Sequence, residues 1–418
     1  MWTAIHTIDI VLWIIMAFSV AYVAFYALVS LFPSRTSKHH PSALSPHPSL
    51  SFLILFPAYK EDAVIVHSVR QFLEQTYPKG LYEVVVISDH MQDDTNELLR
   101  QLPITLFTPK FEKSSKAKAM QYAIKEINGQ SSIVNGQWSK VNGQSSMDNG
   151  QWSTVNGQFD YVVILDADNV VLPDFLEQVN VSCQQGYQAI QCHRCAKNCD
   201  NDVAVLDGVS EEINNTIFRK AHNTIGLSSA LIGSGMCFTF EWFKRNVNLL
   251  NSAVEDRELE SLLLQEKVFI KFEENIHVFD EKVNNHENFE RQRLRWLNGQ
   301  LQTFLIMLPN NPHAIATGNI NYIDKTIQQA LIPRSILLVL IPFFGLTILL
   351  LAPVWSIKWW GLLLVLCLSL YMAIPAQMRN KMIFGKLTSF PKLAFRMLKN
   401  LFRINKNNQD FLHTKHGE

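Results

Sequence analysis

Apolar residues follow two patterns along the chain, and the first is a set of long uncharged runs. These runs lie at residues 10–32, 335–352 and 359–378. Each is long enough to cross the hydrocarbon core of a bilayer as a helix. About six residues separate the last two runs, which predicts a transmembrane hairpin with Pro353–Lys358 as its loop.

The second pattern occupies residues 50–285, where short apolar runs alternate with segments of helical spacing. The short runs predict strands in "SFLILFP", "YEVVVISD", "ITLFT", "FDYVVILDADN" and "QAIQC". Helical spacing appears between them in "AVIVHSVRQFLEQTY", "DDTNELLRQL", "KAKAMQYAIKEI" and "LPDFLEQVNVSC". This alternation predicts an α/β domain with a mostly parallel sheet covered on both faces. Ligands of such sheets bind beyond the carboxyl ends of the strands, where this chain has its polar clusters.

A tandem heptapeptide, "NGQSSIVNGQWSKVNGQSSMDNGQWSTVNGQ", interrupts this pattern at residues 128–158. Seven is the coiled-coil period, but each copy has too few apolar residues for a coiled-coil seam. The regular Asn-Gly pairs favour turns, since Gly weakens a helix interior. We predict a surface insert between a helix and the next strand, remote from the ligand edge; a small ordered β-solenoid is the alternative.

Basic residues predict the orientation of an integral membrane protein. Arg35 and Lys38 follow the first apolar run, and residues 379–418 hold nine Lys and Arg against two acids. Both flanks should therefore be cytoplasmic, which places residues 33–330 on the cytoplasmic side of the cell inner membrane. A cleaved signal peptide is the alternative for the first run. Because no Lys or Arg precedes this long run, we expect an uncleaved anchor.

These patterns divide the chain into six predicted segments. They are an anchor (1–33), a Pro- and Ser-rich linker (34–49), a catalytic domain (50–285), interfacial helices (286–330), a transmembrane hairpin (331–378) and a basic amphipathic tail on the inner leaflet (379–418). The chain has 37 basic and 37 acidic residues, so no overall basic field favours nucleic acid as a partner. No feature predicts an oligomeric state.

Cysteine spacing gives one metal hypothesis. "CHRCAKNC" (192–199) places three cysteines around a histidine, a spacing that zinc sites use. The alternative is a strand end whose thiols stay free in a cytoplasmic domain, and we prefer that interpretation.

Three polar motifs carry candidate chemistry. Asp166 and Asp168 follow a strand, and their carboxylates suit Mg²⁺ or Mn²⁺ beside phosphates. Glu255 and Asp256 open a helix, either as a favourable acidic pair or with one acting as general base. "RQRLRWLNGQ" combines groups that can bind phosphate and stack on a sugar, or it forms an amphipathic interfacial helix.

Together these motifs resemble one family. "PAYKED", "SDHMQDDT", "LDADN", "GSGMCF", "EDRELE" and "QRLRW" occur in the order typical of membrane-bound family 2 glycosyltransferases, over residues 50–300. The set is similar to that of polysaccharide synthases and ceramide-glucosyltransferase-like enzymes. The resemblance implies a GT-A fold and a nucleotide-sugar donor, with a UDP-sugar expected.

The resemblance also implies a role for each matching residue. The donor-binding set is Ala58, Tyr59, Glu61, Asp89, Lys116, Asp166 and Arg295, although Lys60 stands where Asn is common. Asp168 is expected to ligate Mg²⁺ or Mn²⁺, with Asp166 as a second candidate ligand, and Asp256 is expected to deprotonate the acceptor. Residues expected to close the site and shape its acceptor side are Gln292, Trp296, Gly233, Ser234 and Gly235.

The predicted reaction is an inverting, metal-dependent sugar transfer to a lipid-linked or membrane-proximal acceptor hydroxyl. A processive polysaccharide synthase subunit is the alternative, although three spans are few for a polymer channel. A non-catalytic polysaccharide-binding scaffold is a further alternative, and the presence of every expected acid argues against it.

Overall fold

The computed structural model describes residues 2–33, 49–131, 159–198, 202–252, 254–282 and 286–379. The predicted linker up to residue 48, the repeat beyond Ser131 and the tail beyond Arg379 lie outside these residues. The chain divides into two compact units. We call them the sheet unit (Pro41–Lys197, Ala230–Glu281, Gln409–Glu418) and the helical unit (Met1–His40, Asn198–Ser229, Lys282–Asn408).

The described part of the sheet unit contains one eight-stranded sheet. In chain order its strands are β1 (Phe52–Tyr59), β2 (Tyr82–Asp89), β3 (Thr105–Phe107), β4 (Tyr161–Ile164), β5 (Val170–Val171), β6 (Ala189–Ala196), β7 (Met236–Thr239) and β8 (Ile270–Asp280). Their order in space is β3-β2-β1-β4-β7-β6-β8-β5. The first four are parallel, as are β6 and β8, whereas β7 runs antiparallel to both neighbours and β5 to β8. The predicted mostly parallel α/β sheet is therefore confirmed.

Helices of the sheet unit pack along this sheet. They are α2 (Ile65–Phe72), α3 (Asp93–Arg100), α4 (Lys116–Ser131), α5 (Phe175–Gln184), α8 (Phe240–Asn246) and α9 (Glu255–Gln265), with 3-10 turns at Lys79–Leu81 and Val247–Leu249. Residues 52–56 of β1 have no exposed surface, because layers of side chains cover both faces of that strand. Continuous apolar runs are typical of strands that are buried in this way.

The structure corrects the predicted start of the repeat insert. Asn128–Ser131, the first residues of the heptapeptide array, form the last turn of α4 instead of a loop. Gly129 weakens a helix interior by only about 1 kcal/mol relative to Ala, so the thirteen helical residues that precede it can carry the helix through it.

The helical unit contains the long apolar segments. Its helices are α1 (Trp2–Val29), α6 (Asp202–Asn214), α7 (Ala221–Thr224), α10 (His286–Met307), α11 (Asn311–Ala316), α12 (Ile320–Ala330), α13 (Arg334–Leu351) and α14 (Pro353–Ala373), with a π-helical turn at Asn215–Lys220 and 3-10 turns at Leu308–Asn310 and Ala376–Met378. Three of them are long and apolar enough to cross a membrane: Thr3–Val29 of α1, all of α13 and all of α14.

The predicted loop of the hairpin is wrong. Pro353–Lys358 form the first turns of α14, and Ala352 alone separates α13 from α14. Proline is favourable at the first position of a helix because it has no N–H to leave unsatisfied. Lys358 at this end is paired with Asp9 of α1 at 2.5 Å, and the indole N–H of Trp359 donates to the same carboxylate at 2.8 Å.

Candidate active site

The carboxyl ends of β1 and β2 bring together four residues of the predicted donor-binding set. Tyr59 pairs with Asp89 in the strand register. The residues that follow them, Lys60 and His90, adopt the left-handed conformation with φ of 55°. The backbone therefore turns sharply after each of the two strands. The carboxylate of Asp89 lies 2.6 Å from Nδ1 of His90 and is almost fully buried.

Ala58 and Glu61, two further residues of the predicted donor-binding set, lie at the same edge. Ala58 is the penultimate residue of β1 and is buried. Glu61 follows the turn, and its backbone N–H lies 3.1 Å from the sulfur of Met91. The structure thus places Ala58, Tyr59, Glu61 and Asp89 along the ends of two adjacent strands.

Next to β1, the carboxyl end of β4 leads into an acidic cluster. Asp166 and Asp168 each present a carboxylate oxygen within 4.8 Å of one another and of an oxygen of Asp280, the last residue of β8. Carboxylates held so close repel one another unless a cation neutralises them. Three hard oxygen ligands fit Mg²⁺ or Mn²⁺ by their chemistry. We call Asp166, Asp168 and Asp280 the aspartate triad.

Amide groups orient the triad. The side-chain oxygen of Asn169 accepts from the backbone N–H of Asp166 at 2.8 Å, and its NH₂ group lies 3.3 Å from Asp168 and 3.4 Å from Asp280. Asp168 also accepts from the backbone N–H of Glu281 at 2.9 Å. The triad is therefore built into the fold by hydrogen bonds from the loop after β4 and from the end of β8.

Lys116, the first residue of α4, supplies positive charge beside the triad. Its ammonium lies 2.5 Å from Asp166 and 3.6 Å from Glu255, and it donates to the carbonyl oxygen of Gly233. Burial opposes the charge, but Asp166 and Glu255 outweigh burial and raise the pKa of Lys116. This lysine therefore stays protonated where the resemblance expects the donor.

The acidic pair at the start of α9 faces the same place. A side chain added at Gly233 would meet a carboxylate oxygen of Asp256 at 3.6 Å and one of Glu255 at 3.9 Å. Burial raises the pKa of Glu255, Lys116 lowers it and Asp256 raises it further, with a net value of about 7. Two carboxylates and a lysine thus surround the Gly233 backbone.

The segment "GSGM" needs its two glycines for different reasons. Gly233 has φ of 74° and exposes its backbone to Lys116 and Asp256. Gly235 has φ of 64°, and a Cβ there would lie 2.9 Å from a methyl group of Val278. Between them, the hydroxyl of Ser234 donates to the side chain of Asn169.

The predicted residues Gln292, Arg295 and Trp296 lie on α10 in the helical unit, not in the sheet unit. One face of the Trp296 ring is covered by the guanidinium of Arg293, 4.4 Å from the ring centroid, and Arg293 is paired with Asp207. Stacking of a sugar on Trp296 would therefore require its other face. The roles of these three residues stay predictions from the resemblance.

Sequence reasoning missed two contributions to this site. Asp280 lies in the segment "HVFDEK", where an apolar run stops at an acid, and this signal is the same one that identified Asp166. Its distance of 114 residues from Asp166 hid the relation. The ion pair of Glu255 with Lys116 was also missed, because no sequence spacing connects α9 with α4.

The sheet, its acidic edge and the sequence motifs define a glycosyltransferase of the GT-A type. Residues 47–299 match the family described as "Glycosyltransferase like family 2". The chain belongs to this family and is a family 2 glycosyltransferase. No curated protein sequence matches it.

Comparison with solved structures found similar chains at low sequence identity. The mannosyltransferase PcManGT from Pyrobaculum calidifontis, in complex with GDP-Man and Mn²⁺, is 15% identical with a TM-score of 0.53, over 95% of this chain and 99% of that one. TarS 1-349 from S. aureus is 13% identical with a TM-score of 0.39, over 84% and 89%. Glucosyl-3-phosphoglycerate synthase from Mycobacterium tuberculosis, with Mn²⁺, UDP and phosphoglyceric acid, is 15% identical with a TM-score of 0.37, over 57% and 73%.

Proposed function

We propose that this protein transfers a sugar from a nucleotide-sugar donor, with a UDP-sugar expected, to a lipid-linked or membrane-proximal hydroxyl with inversion of configuration. The observation that carries this proposal is the aspartate triad beside Lys116 and Asp256. These groups provide the two things that such a transfer needs, namely positive charge for a departing diphosphate and a base for the acceptor.

The aspartate triad would hold the divalent cation. Its carboxylates fit Mg²⁺ and Mn²⁺, and the similar PcManGT structure contains Mn²⁺. When bound, the cation would neutralise charge on the leaving nucleoside diphosphate. Lys116 adds a fixed positive charge that burial has already desolvated, so it can interact strongly with a phosphate.

Asp256 is the proposed base. Its carboxylate approaches Gly233, whose left-handed backbone leaves open the space that a side chain would fill. An acceptor hydroxyl in that space would give its proton to Asp256 while its oxygen attacks the anomeric carbon. The C–O bond to the diphosphate breaks on the opposite face, so a single displacement inverts the configuration.

The nucleotide would bind at the ends of β1 and β2. Asp89 is almost fully buried there, and Tyr59 presents a ring beside His90, with centroids 5.8 Å apart. A carboxylate that accepts from a base or ribose hydroxyl and an aromatic ring that packs on a base are suited to a nucleoside. GDP-Man in the similar PcManGT structure makes guanosine donors worth testing beside uridine donors.

The three apolar helices support a membrane-associated acceptor. These helices are α1, α13 and α14, and each is long and apolar enough to cross a membrane. A bilayer would cover their exposed apolar side chains. The excess of basic residues in 379–418 supports a cytoplasmic catalytic domain at the cell inner membrane.

The test is donor turnover by the detergent-purified protein. UDP- and GDP-sugars would be offered separately with Mg²⁺ or Mn²⁺ and with a crude lipid acceptor, and release of nucleoside diphosphate would be measured. We expect one donor to be turned over, and a chelator or Asp168→Asn to abolish this release. Absence of turnover with every donor in both metals, by protein that still binds Mn²⁺, would refute the proposal.

A further inference from the structure

A group of soft metal ligands lies on β6 and β8, apart from the aspartate triad. His193 and Cys195 are two residues apart on β6, so both point from the same face of the sheet. His277 is the partner of His193 in the strand register. Candidate ligand atoms of these three side chains lie within 4.8 Å of one another.

This set differs from the one that cysteine spacing suggested. Cys192 points to the opposite face, where it is fully buried in the apolar core beside Val278. Cys199 lies outside the described residues. In place of Cys192 and Cys199, the candidate ligand set contains His277, which lies far away in the sequence. The metal hypothesis therefore changes from a thiolate-rich set to two imidazoles and one thiol.

An irregularity in the strand pairing creates this arrangement. Cys192 pairs with Glu273, but the next residue, His193, pairs with His277, so residues 274–276 form a bulge in β8. A bulge interrupts the ladder of hydrogen bonds and re-aims side chains. Here it places His277 beside His193, with ring centroids 5.1 Å apart.

The bulge also fixes the tautomer of one ligand. Nδ1 of His193 lies 2.8 Å from the carbonyl oxygen of Glu274. A carbonyl oxygen can only accept, so Nδ1 carries the proton and Nε2 keeps its lone pair. Hydrogen bonds of this kind from the second ring nitrogen to a carbonyl are typical of metal-binding histidines.

We propose that His193, Cys195 and His277 bind a zinc ion. Thiolate and imidazole are the ligands that zinc prefers, whereas the aspartate triad offers only hard oxygens. Zinc bonds of about 2.0–2.3 Å place tetrahedral ligand atoms roughly 3.5 Å apart, so small side-chain rotations from the observed arrangement suffice. All three side chains are half-buried, which leaves a fourth position for water.

Zinc at this position would connect two strands near the active site. His277 lies three residues before Asp280, and the chain after β6 donates from the backbone N–H of Lys197 to the carbonyl oxygen of Asp280 at 2.8 Å. Arg194 on the same strand reaches the Asp280 carboxylate at 3.7 Å. The zinc ion would therefore hold together the strand ends that position one member of the aspartate triad.

Cobalt substitution tests the proposal on the full-length protein in detergent. The protein would carry a tag without histidine or cysteine, be reduced and chelated, and receive one equivalent of Co²⁺ with excess Mg²⁺ to occupy the aspartate triad. We expect a near-ultraviolet thiolate-to-cobalt band that one equivalent of Zn²⁺ removes. Absence of the band, or its resistance to zinc, would overturn the proposal.

Two variants identify the ligands. Cys195→Ser should abolish the band, and His277→Gln should weaken zinc binding at least 100-fold, more than the roughly 10–100-fold typical of second-shell changes. The matched control is Cys367→Ser, which removes a thiol from α14 and should leave the band unchanged. Persistence of the band in Cys195→Ser would assign it to another thiol and overturn the proposal.

A third variant covers the case in which loss of a ligand prevents folding. His277→Cys replaces one zinc ligand by another, so it should retain zinc and strengthen the thiolate band. Its thermal midpoint should rise when zinc is added, as should that of the unchanged protein, because a ligand that binds only the folded state stabilises it. Loss of zinc binding in a folded His277→Cys protein would contradict the proposed coordination.

Discussion

Two groups of buried charge show how this protein separates structure from chemistry. In the helical unit, the carboxylate of Asp324 accepts from the hydroxyls of Tyr22 at 2.9 Å and Tyr26 at 2.8 Å, and lies 3.0 Å from Nε2 of His222. Burial alone would raise the pKa of Asp324, but His222 and the other partners lower it to about 2. This carboxylate stays ionised because the fold supplies its donors.

In the sheet unit, the aspartate triad gathers like charges instead. Its members lie within 4.8 Å of one another, and the neighbouring Glu255 adds a carboxylate whose pKa rises to about 7. Lys116 offsets part of this charge, and a divalent cation would offset the rest. The comparison teaches that a buried acid surrounded by donors serves the fold, whereas clustered acids indicate a ligand site.

The largest expected effect is at Asp256. Asp256→Asn keeps the size of the side chain but cannot accept the acceptor's proton, so kcat should fall about 10²–10⁴-fold. Nucleoside diphosphate affinity should stay nearly unchanged, because Asp256 is not part of the donor set. Transfer rate and nucleotide affinity would be measured on the same preparation. Near-normal transfer would remove Asp256 from the mechanism and leave it as an acid at a helix start.

The aspartate triad should show the next largest effect. Asp168→Asn and Asp280→Asn each remove one charged oxygen ligand, and each should weaken Mn²⁺ binding at least about 100-fold, more than second-shell changes do. Titration of Mn²⁺ by electron paramagnetic resonance measures this affinity without turnover. The matched control is Asp94→Asn, an exposed acid at the start of α3. Unchanged affinity in Asp280→Asn would show that the cation site does not include β8.

At Asp324 the same substitution should act on stability instead. Asp324→Asn removes the charge that the hydroxyls of Tyr22 and Tyr26 meet, which should destabilise the protein by about 3–5 kcal/mol. Thermal unfolding in detergent measures this loss, with Asp202→Asn on the exposed start of α6 as the control. Mn²⁺ affinity should not change. If Asp324→Asn weakened Mn²⁺ binding as much as Asp168→Asn does, the distinction between Asp324 as a structural acid and the aspartate triad as a cation site would be wrong.

Local pattern predicted most of the sheet and some of the residues that lie together in the candidate site. The strands β1, β2 and β4 were predictable because each is a continuous apolar run, and the parallel arrangement places Asp89, Asp166 and Asp168 at one edge by rule. Asp280 was not predictable, because its approach to Asp166 and Asp168 depends on the pairing of β5 with β8, in which Val170 lies opposite Phe279. The His193 and His277 pair was hidden for a similar reason, because it depends on the register of β8 against β6.

Helix boundaries failed for a different reason. The error at Asn128–Ser131 came from treating Gly as a helix breaker, and the error at Pro353–Lys358 came from taking the gap between two apolar runs as a loop. Helix formation is cooperative, so a glycine after three turns is tolerated, and proline suits a first turn. Polar pattern alone could not show that Lys358 has Asp9 as its partner.

The smallest expected effect is a dependence of stability on pH through Glu255. Its pKa is about 7 in the folded chain, above the usual value of 4.5, so the folded state holds a proton that the unfolded state has released between these values. The resulting stabilisation is complete below pH 4.5 and is lost as pH rises through 7.

Thermal midpoints in detergent should therefore fall from pH 5 to pH 8 more steeply in the unchanged protein than in Glu255→Gln, which cannot ionise. The raised pKa of Glu255 corresponds to a loss of roughly 2 kcal/mol in the free energy of unfolding between pH 5 and pH 8. Glu97→Gln, which changes an exposed carboxylate on α3, is the control and should keep the steep dependence. Equal slopes for Glu255→Gln and the unchanged protein would show that Glu255 is ionised throughout. In that case the charge of Lys116 would be enough to keep Glu255 ionised. The comparison between clustered acids and the donor-supported Asp324 would then depend on the aspartate triad alone.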